Sequence, residues 1–238
     1  MNRKIVAAWC FYDFANSIYP AVIIATIFGV YFTGTVVGNE SGLGDLWWGR
    51  VISVSMAVVA ITSPLLGSIA DSTGSHKKFL FAYTYLTIAC VILFTTIEPG
   101  MIFWAFLLAT LSNIGFEGAL THYNTYLPSI APQGHRGFVS GLGFGVGYAG
   151  SAAGLLAVLP LVRQGEFDLI WLVVAGFFSL FSLPTFLSLP ADSKVPRRLA
   201  REIFKNITGF RHILNNVSHK PNLRRFLLAF FVYIDGVN

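Results

Sequence analysis

Six long apolar runs separated by short polar breaks organise most of the chain, at 5–35, 46–70, 79–97, 100–127, 138–162 and 169–189. Each reaches or passes the roughly 20 apolar residues that a helix needs to cross about 30 Å of hydrocarbon. A polar stretch follows over 190–223, and a seventh apolar run opens at Phe226 and stops at Asn238. At 1.5 Å per residue this last run makes about 20 Å of helix, short of a full crossing. The pattern predicts an all-α, polytopic membrane protein: a six-helix unit over 1–189, a connecting segment over 190–223 and the start of a seventh transmembrane helix over 224–238.

Composition supports lipid as the solvent. Of 238 residues, 55% are hydrophobic and 11% charged, where ordinary soluble domains carry roughly 25% charge. So few charges cannot cover a water-exposed surface, which argues against a soluble enzyme. Cys10 and Cys90 both fall inside apolar runs and form neither a disulfide framework nor a metal-ligand spacing. Arg3 and Lys4 ahead of an apolar stretch resemble a secretory signal, but Asp13 and Asn16 interrupt it, so the first run is expected to be retained as a span.

The bases are sorted along the chain. With the N-terminus inside, fourteen of the 16 basic residues fall on the inner face and only Arg50 and Arg163 outside, while Glu40, Asp45, Glu98, Glu166 and Asp168 occupy outer loops. This bias predicts a cytoplasmic N-terminus and a cytoplasmic 190–223 segment. That segment holds Leu199, Ile203, Ile207 and Leu214 among its bases. It is expected to lie as an amphipathic helix on anionic membrane lipid rather than on nucleic acid.

Three acids fall inside apolar runs: Asp13, Glu117 and Asp235. An ionisable group in the bilayer costs at least ~2.5 kcal/mol to insert and is a functional candidate for that reason. Counted from the inner ends of their runs, the three lie at depths of ~12–15 Å, which predicts one shared polar cavity. Asp13, Asn16, Ser17 and Pro20 recur at helical spacing, as do Asn113, Glu117, Thr121 and Asn124. Two carboxyls facing each other in a poorly hydrated cavity would hold a proton between them, so Asp13 and Glu117 are candidates for proton coupling. Asp13, Asn16, Glu117, Asn124 and Asp235 are the expected cavity residues; a purely structural alternative is that these groups glue helices together.

The turn after the second run reads Gly67-Ser-Ile-Ala70-Asp71-Ser-Thr-Gly74-Ser-His-Lys77-Lys78. It resembles the signature loop of the major facilitator superfamily in its glycines, acid and bases and in its place between spans two and three. The resemblance implies a gate at the inner face, with Asp71 as its acid and Arg136 in the next inner loop as a partner. Gly67 would let helices approach, Gly74 would permit the reversal, and Lys77 and Lys78 would anchor the inner face. Tyr12-Asp13-Phe14-Ala15-Asn16-Ser17, Tyr123-Asn124-Thr125-Tyr126-Leu127-Pro128 and Gly147-Tyr148-Ala149-Gly150 are similar to the branch that contains the fungal autophagy-related vacuolar amino-acid effluxer and its bacterial relatives. That branch implies a solute carrier, with amino acids as one substrate class, and the short stretch before Trp9 fits a bacterial member in the cytoplasmic membrane.

Carriers of this superfamily are two six-helix halves related by a two-fold axis, so span seven should repeat span one. Asp13-Phe-Ala-Asn16 is echoed by Asp235-Gly-Val-Asn238, with Tyr12 and Tyr233 close before each. The chain therefore reads as an N-terminal half needing a second half or a second copy. Gly145-Val-Gly147-Tyr-Ala-Gly150 matches a dinucleotide fingerprint, but it continues an apolar run without a preceding strand. Gly143, Gly147 and Gly150 are expected to pack helices, and no cofactor is expected. The leading expectation is secondary transport of a small solute by alternating access. The alternatives are a membrane-embedded enzyme using Asp13 and Glu117 as acid and base, for which no paired nucleophile or metal motif is present, and an inactive fragment.

Overall fold

The computed structural model describes residues 2–192, 220–226 and 228–229. Six helical stretches are long and apolar enough to cross a membrane: Arg3–Val37, Leu43–Thr73, His76–Thr96, Ile102–Ile130, Gln133–Gln164 and Phe167–Ser188. These are spans one to six, and they match the six predicted runs to within a few residues at each end. Residues 221–226 and 228–229 are also helical. The rest of the basic segment, Asp235 and the echo around it lie outside the described residues.

Lipid supplies no hydrogen-bond partners, so each span must satisfy its backbone internally. Five do so as α-helices for most of their length. Span one does not. An α-helix over Arg3–Asn16 gives way to π-helical turns over Pro20–Ile24, a short α-turn over Ile27–Val30 and a second π-helical stretch over Tyr31–Val37. Pro20 carries no N–H and cannot continue an α-helical ladder. The chain recovers by a wider turn, in which the Ala25 amide donates to the Pro20 carbonyl at 2.9 Å and the Thr26 hydroxyl donates to Ala21 at 2.6 Å. Proline and π-turns of this kind are the usual physical causes of a kinked span.

Span one is central, contacting spans five and six, while span four packs against spans two and three. Missing side chains set how closely these helices approach. On span five, a Cβ added at Gly143, Gly147, Gly150 or Gly154 would meet Trp9 and Asp13, Ser17, Phe14 and Ile18 respectively, all on span one. On span four, a Cβ at Gly115 would lie 2.5 Å from the Thr87 hydroxyl, and one at Gly118 2.6 Å from the Tyr83 ring. Small residues at such spacing let backbones come close enough for dispersion to hold helices that lipid does not push together.

Buried polar groups then pin the register. The Tyr12 hydroxyl meets Thr84 of span three at 2.6 Å and that of Tyr19 meets Ser112 of span four at 2.8 Å. The Thr185 hydroxyl of span six donates to the Ala8 carbonyl at 2.6 Å. At the far end, Phe28 stacks on Phe94 at 4.1 Å, and Trp171 meets both edge-on, tying spans one, three and six into an aromatic cluster. Spans two and five are the least buried and span four the most.

Replacing Gly150 by alanine is expected to lower stability by about 1–3 kcal/mol, the usual cost of overpacking, because the new methyl would strike the Phe14 backbone, which cannot rotate away. Alanine at Gly145, where a Cβ would have nothing within 4 Å, should leave the midpoint of thermal unfolding in detergent unchanged or raise it. Equal destabilisation by the two substitutions would refute glycine-mediated packing of spans one and five.

Candidate functional site

Asp13 sits on the face of span one that meets span five. Its Oδ2 lies 2.5 Å from where a Cβ on Gly143 would be, with the Trp9 ring 2.8 Å from the same point. Gly143 is thus the notch that admits the carboxylate. On the other side the Tyr123 hydroxyl of span four neighbours the same carboxylate. Tyr123 itself is clasped: its hydroxyl donates to the Trp9 carbonyl at 3.0 Å, and the Trp9 indole N–H donates to the Tyr123 carbonyl at 3.3 Å. The two rings stack at 4.5 Å with a 9° interplanar angle.

One turn on, Asn16 is 4% exposed. It falls in the Tyr12 and Tyr19 row of span one, four residues from Tyr12 and three from Tyr19. Its Oδ1 takes only a long 3.4 Å bond from the Ser17 hydroxyl, and its Nδ2 has no partner at all. Native structures rarely leave a buried amide donor unpaired, since the desolvation cost of about 1–3 kcal/mol is then not offset. Ser17 turns to span five, where the Ser151 hydroxyl donates to its carbonyl at 3.0 Å. Pro20 and the kink follow immediately.

Glu117 is placed differently. Its neighbours in the same helical row face span two: the Asn113 amide donates to the Ser55 hydroxyl at 2.7 Å, and the hydroxyls of Thr121 and Ser63 lie 3.5 Å apart. Spans one and four run antiparallel and are aligned by Trp9 with Tyr123 at one level and Tyr19 stacked on Phe116 at 4.8 Å at another. From the level of Trp9 and Tyr123, Asp13 lies four residues further into the bundle and Glu117 six, so the two acids differ in depth by only about 3 Å. The two acids differ in facing rather than in depth: Asp13 meets span five and the row of Glu117 meets span two, so the expected pair of facing carboxyls gives way to two separate polar places. Asn124, at the last residue of the helix Ile102–Asn124, is exposed and lies about 10 Å from the level of Glu117.

The signature loop closes the end of the bundle that carries the N-terminus. Span two stops at Gly74, whose φ of +61° places it in the left-handed region, the usual glycine terminator of a helix. A Cβ on Gly67 would have nothing within 4 Å, so it does not serve the helix approach expected of it within the described unit. Asp71 does not pair with Arg136 either. Asp71 Oδ1 lies 2.9 Å from His76 Nε2, while the Arg136 guanidinium donates to the carbonyls of Pro128 at 3.2 Å and Ala131 at 3.4 Å. Arg136 therefore caps the carbonyl end of span four instead of reaching span two.

Lys77 and Lys78 lead to a residue that the reading of the sequence did not single out. The Asp192 carboxylate, just past span six, accepts the backbone amides of Lys77 at 2.8 Å and Lys78 at 3.2 Å. The Lys77 ammonium donates back to the Leu189 carbonyl at 2.7 Å. An anion on the first-turn amides and a cation on the last carbonyls both suit the helix dipoles, so spans three and six are fastened reciprocally. His76 and His122, also passed over, meet at 3.3 Å between their Nδ1 atoms. An acid at the head of a basic stretch was the available signal for Asp192; nothing local marks a contact between histidines 46 residues apart. Among the described residues no group of three or more His, Cys, Asp or Glu side chains could hold a metal ion.

Comparison with known proteins fits this architecture. Residues 2–155 match the family model described as Major Facilitator Superfamily. The chain is 29% identical to a Bacillus subtilis (strain 168) protein named "Uncharacterized MFS-type transporter YxiO", over 97% of this chain and 56% of that protein. It is also 26% identical to an "Uncharacterized protein" of Aquifex aeolicus (strain VF5), over 97% of this chain and 57% of the relative. The chain spans about half the length of these curated relatives. With six spans and the family match together, it is an integral membrane protein with half of the superfamily's fold: the chain belongs to the major facilitator superfamily.

Proposed function

We propose that this chain is the N-terminal half of a secondary carrier that moves a small solute by alternating access, with solute contacts at Asp13 and Asn16 of span one. The observation that carries this is the pairing, within one helical turn and just before the kink, of a carboxylate in a glycine notch with a buried amide donor that has no partner in the protein. A carrier needs binding groups that the resting protein leaves unsatisfied, because interactions already made internally give no differential affinity to a solute. Pro20 and the π-helical turns that follow it loosen the α-helical ladder of span one at the same place.

The sorting of bases supports a cytoplasmic placement of the end bearing the N-terminus, Arg136 and Asp192. Spans two and five expose Val54, Met56, Ile61 and Leu65, and Phe138, Phe144, Tyr148 and Leu156. These faces suit lipid or a second six-helix unit, supplied by further chain or by another copy. The motifs shared with the vacuolar effluxer branch support amino acids as the first substrates to test. An acid-base enzyme built on Asp13 and Glu117 is disfavoured by the different spans they face. A proton carried by either carboxyl alone remains compatible with the geometry and gives coupling to a pH gradient.

Reconstitution of the full-length carrier in proteoliposomes with a panel of amino acids and other small solutes tests this. Asp13→Asn should cut solute flux at least tenfold, in line with loss of a buried charged contact of about 1.5–3 kcal/mol, and one of Asp13→Asn and Glu117→Gln should abolish stimulation by a pH gradient. Full retention of that stimulation in both variants would remove proton coupling through these acids. A second measurement separates binding from structure at Asn16. Asn16→Leu replaces an unpaired buried donor by an apolar group of similar volume, so the unfolding midpoint should hold or rise while flux falls more than tenfold. A clear loss of stability with flux preserved would instead make Asn16 a structural residue.

A further inference from the structure

The end of the bundle that carries the N-terminus holds a line of titratable groups that solute binding does not use. The Asp71 side chain is 74% exposed and its Oδ1 lies 2.9 Å from Nε2 of His76, whose side chain is 19% exposed. His76 presents its other ring nitrogen, Nδ1, to Nδ1 of His122 at 3.3 Å. His122 is 1% exposed, stacked on Phe79 at 5.0 Å and lying over Tyr83 at 5.8 Å. Spans two, three and four thus contribute one group each to a line running from solvent into the bundle.

Geometry decides what occupies the gap between the rings. Their centroids are 5.6 Å apart and the facing nitrogens 3.3 Å apart. The difference equals about twice the ~1.15 Å from the centre of an imidazole to its nitrogen, so the nitrogens point at each other almost in a straight line, as in a hydrogen bond. A metal at about 2.0–2.1 Å from each would need them about 4 Å apart on that line, or lone pairs converging to one side. A proton fits where a metal does not.

The partners also fix the tautomers. A carboxylate only accepts, so His76 carries its hydrogen on Nε2 and offers a lone pair at Nδ1, and His122 donates from its own Nδ1. Adding a proton to His76 puts an N–H on both facing nitrogens. They then repel, while the contact with Asp71 becomes a charge-assisted ion pair. We propose that Asp71, His76 and His122 form a proton-operated switch: neutral His76 bridges span three to span four, and protonated His76 leaves His122 and is held by Asp71 alone.

Other charged and titratable groups frame the switch. Asp192 lines the same cavity of about 290 Å³ as Asp71 and His76, with Tyr126 on its wall, and its carboxylate is occupied by the Lys77 and Lys78 amides. The Lys77 ammonium is engaged by Leu189, and Tyr83 faces His122 from span three. Imidazole is the side chain that titrates across the physiological range without special help. On the carrier reading, on which only its biological meaning rests, acidification of the cytoplasm would draw Asp71, the acid of the signature loop, into an ion pair with its own neighbour.

Nitrogen NMR of the 15N-histidine-labelled 238-residue chain in detergent micelles tests the switch without any transport assay, so its outcome is independent of the carrier reading. At pH 8, one protonated and one unprotonated Nδ1 should show coupling across the gap. On acidification to pH 5.5, His76 should become imidazolium and the coupling should vanish. Asp71→Asn, at an exposed position, removes the carboxylate that accepts from His76 and should move that step to lower pH. His122→Phe, which fills the same space, should abolish the coupling and leave His76 to titrate alone; should it not fold, Asp71→Asn carries the test. Coupling that survives protonation of His76, its absence at pH 8, or a step indifferent to Asp71→Asn would overturn the proposal.

Discussion

The reciprocal clasp of Trp9 and Tyr123 is the interaction on which the rest of the site depends. Each residue donates a side-chain hydrogen to the other's backbone carbonyl, and the rings between those bonds are stacked. Two hydrogen bonds and a stack at one level allow only one sliding register of span one on span four. In hydrocarbon, where association has little hydrophobic drive, such pairs count for more in specifying geometry than in raw stability. Once the register is set, Tyr19 must meet Ser112 and Phe116, and Asp13 must fall beside Tyr123. The same rotation of span one presents Asp13 and Ser17 to the glycines of span five. The position of the acid is therefore a consequence of the clasp and of the missing Cβ at Gly143 together.

The six spans and the glycine row were legible in the sequence because each depends on a one-dimensional quantity. A run of twenty apolar residues has few fates other than crossing a bilayer, and glycines three and four apart can only fall on one face of a helix. Facing was less legible. Counting residues from the ends of apolar runs places Asp13 and Glu117 at similar depth, but which span each acid meets depends on how the helices are rotated in the bundle, and a count of residues does not give that. Arg136 failed for a related reason. Charge complementarity alone suggested Asp71 as its partner, yet a guanidinium beside the end of span four finds unpaired carbonyls of its own segment first, at Pro128 and Ala131.

What could not be read at all were contacts that join distant segments without a pattern. Asp192 finds the amides of Lys77 and Lys78 across more than a hundred residues, and no periodicity encodes that. Its logic is still elementary: the first amides of a helix are unpaired donors, and a carboxylate arriving from the next span but two is a suitable acceptor. Span six is thereby held to the start of span three just where the signature loop ends. The loop is thus braced from one side by Asp192 and linked to span four on the other by His76 and His122.

Two kinds of polar residue are distributed differently in this half, and the difference bears on function. At the end bearing the N-terminus, the acids and bases near the loop are occupied: Asp71 by His76, Asp192 by amides, Lys77 and Arg136 by carbonyls. In the middle of span one, by contrast, a buried amide has an unpaired donor one turn from a carboxylate and directly before the change to π-helical turns. A fold selected only for stability would fill such a place with an apolar side chain, because an unpaired buried donor costs free energy in a solvent that cannot repair it. On the proposed function, the missing partner of Asn16 arrives as a solute. The occupied network at the end then serves a different need, which is to keep the helices registered while the middle is empty.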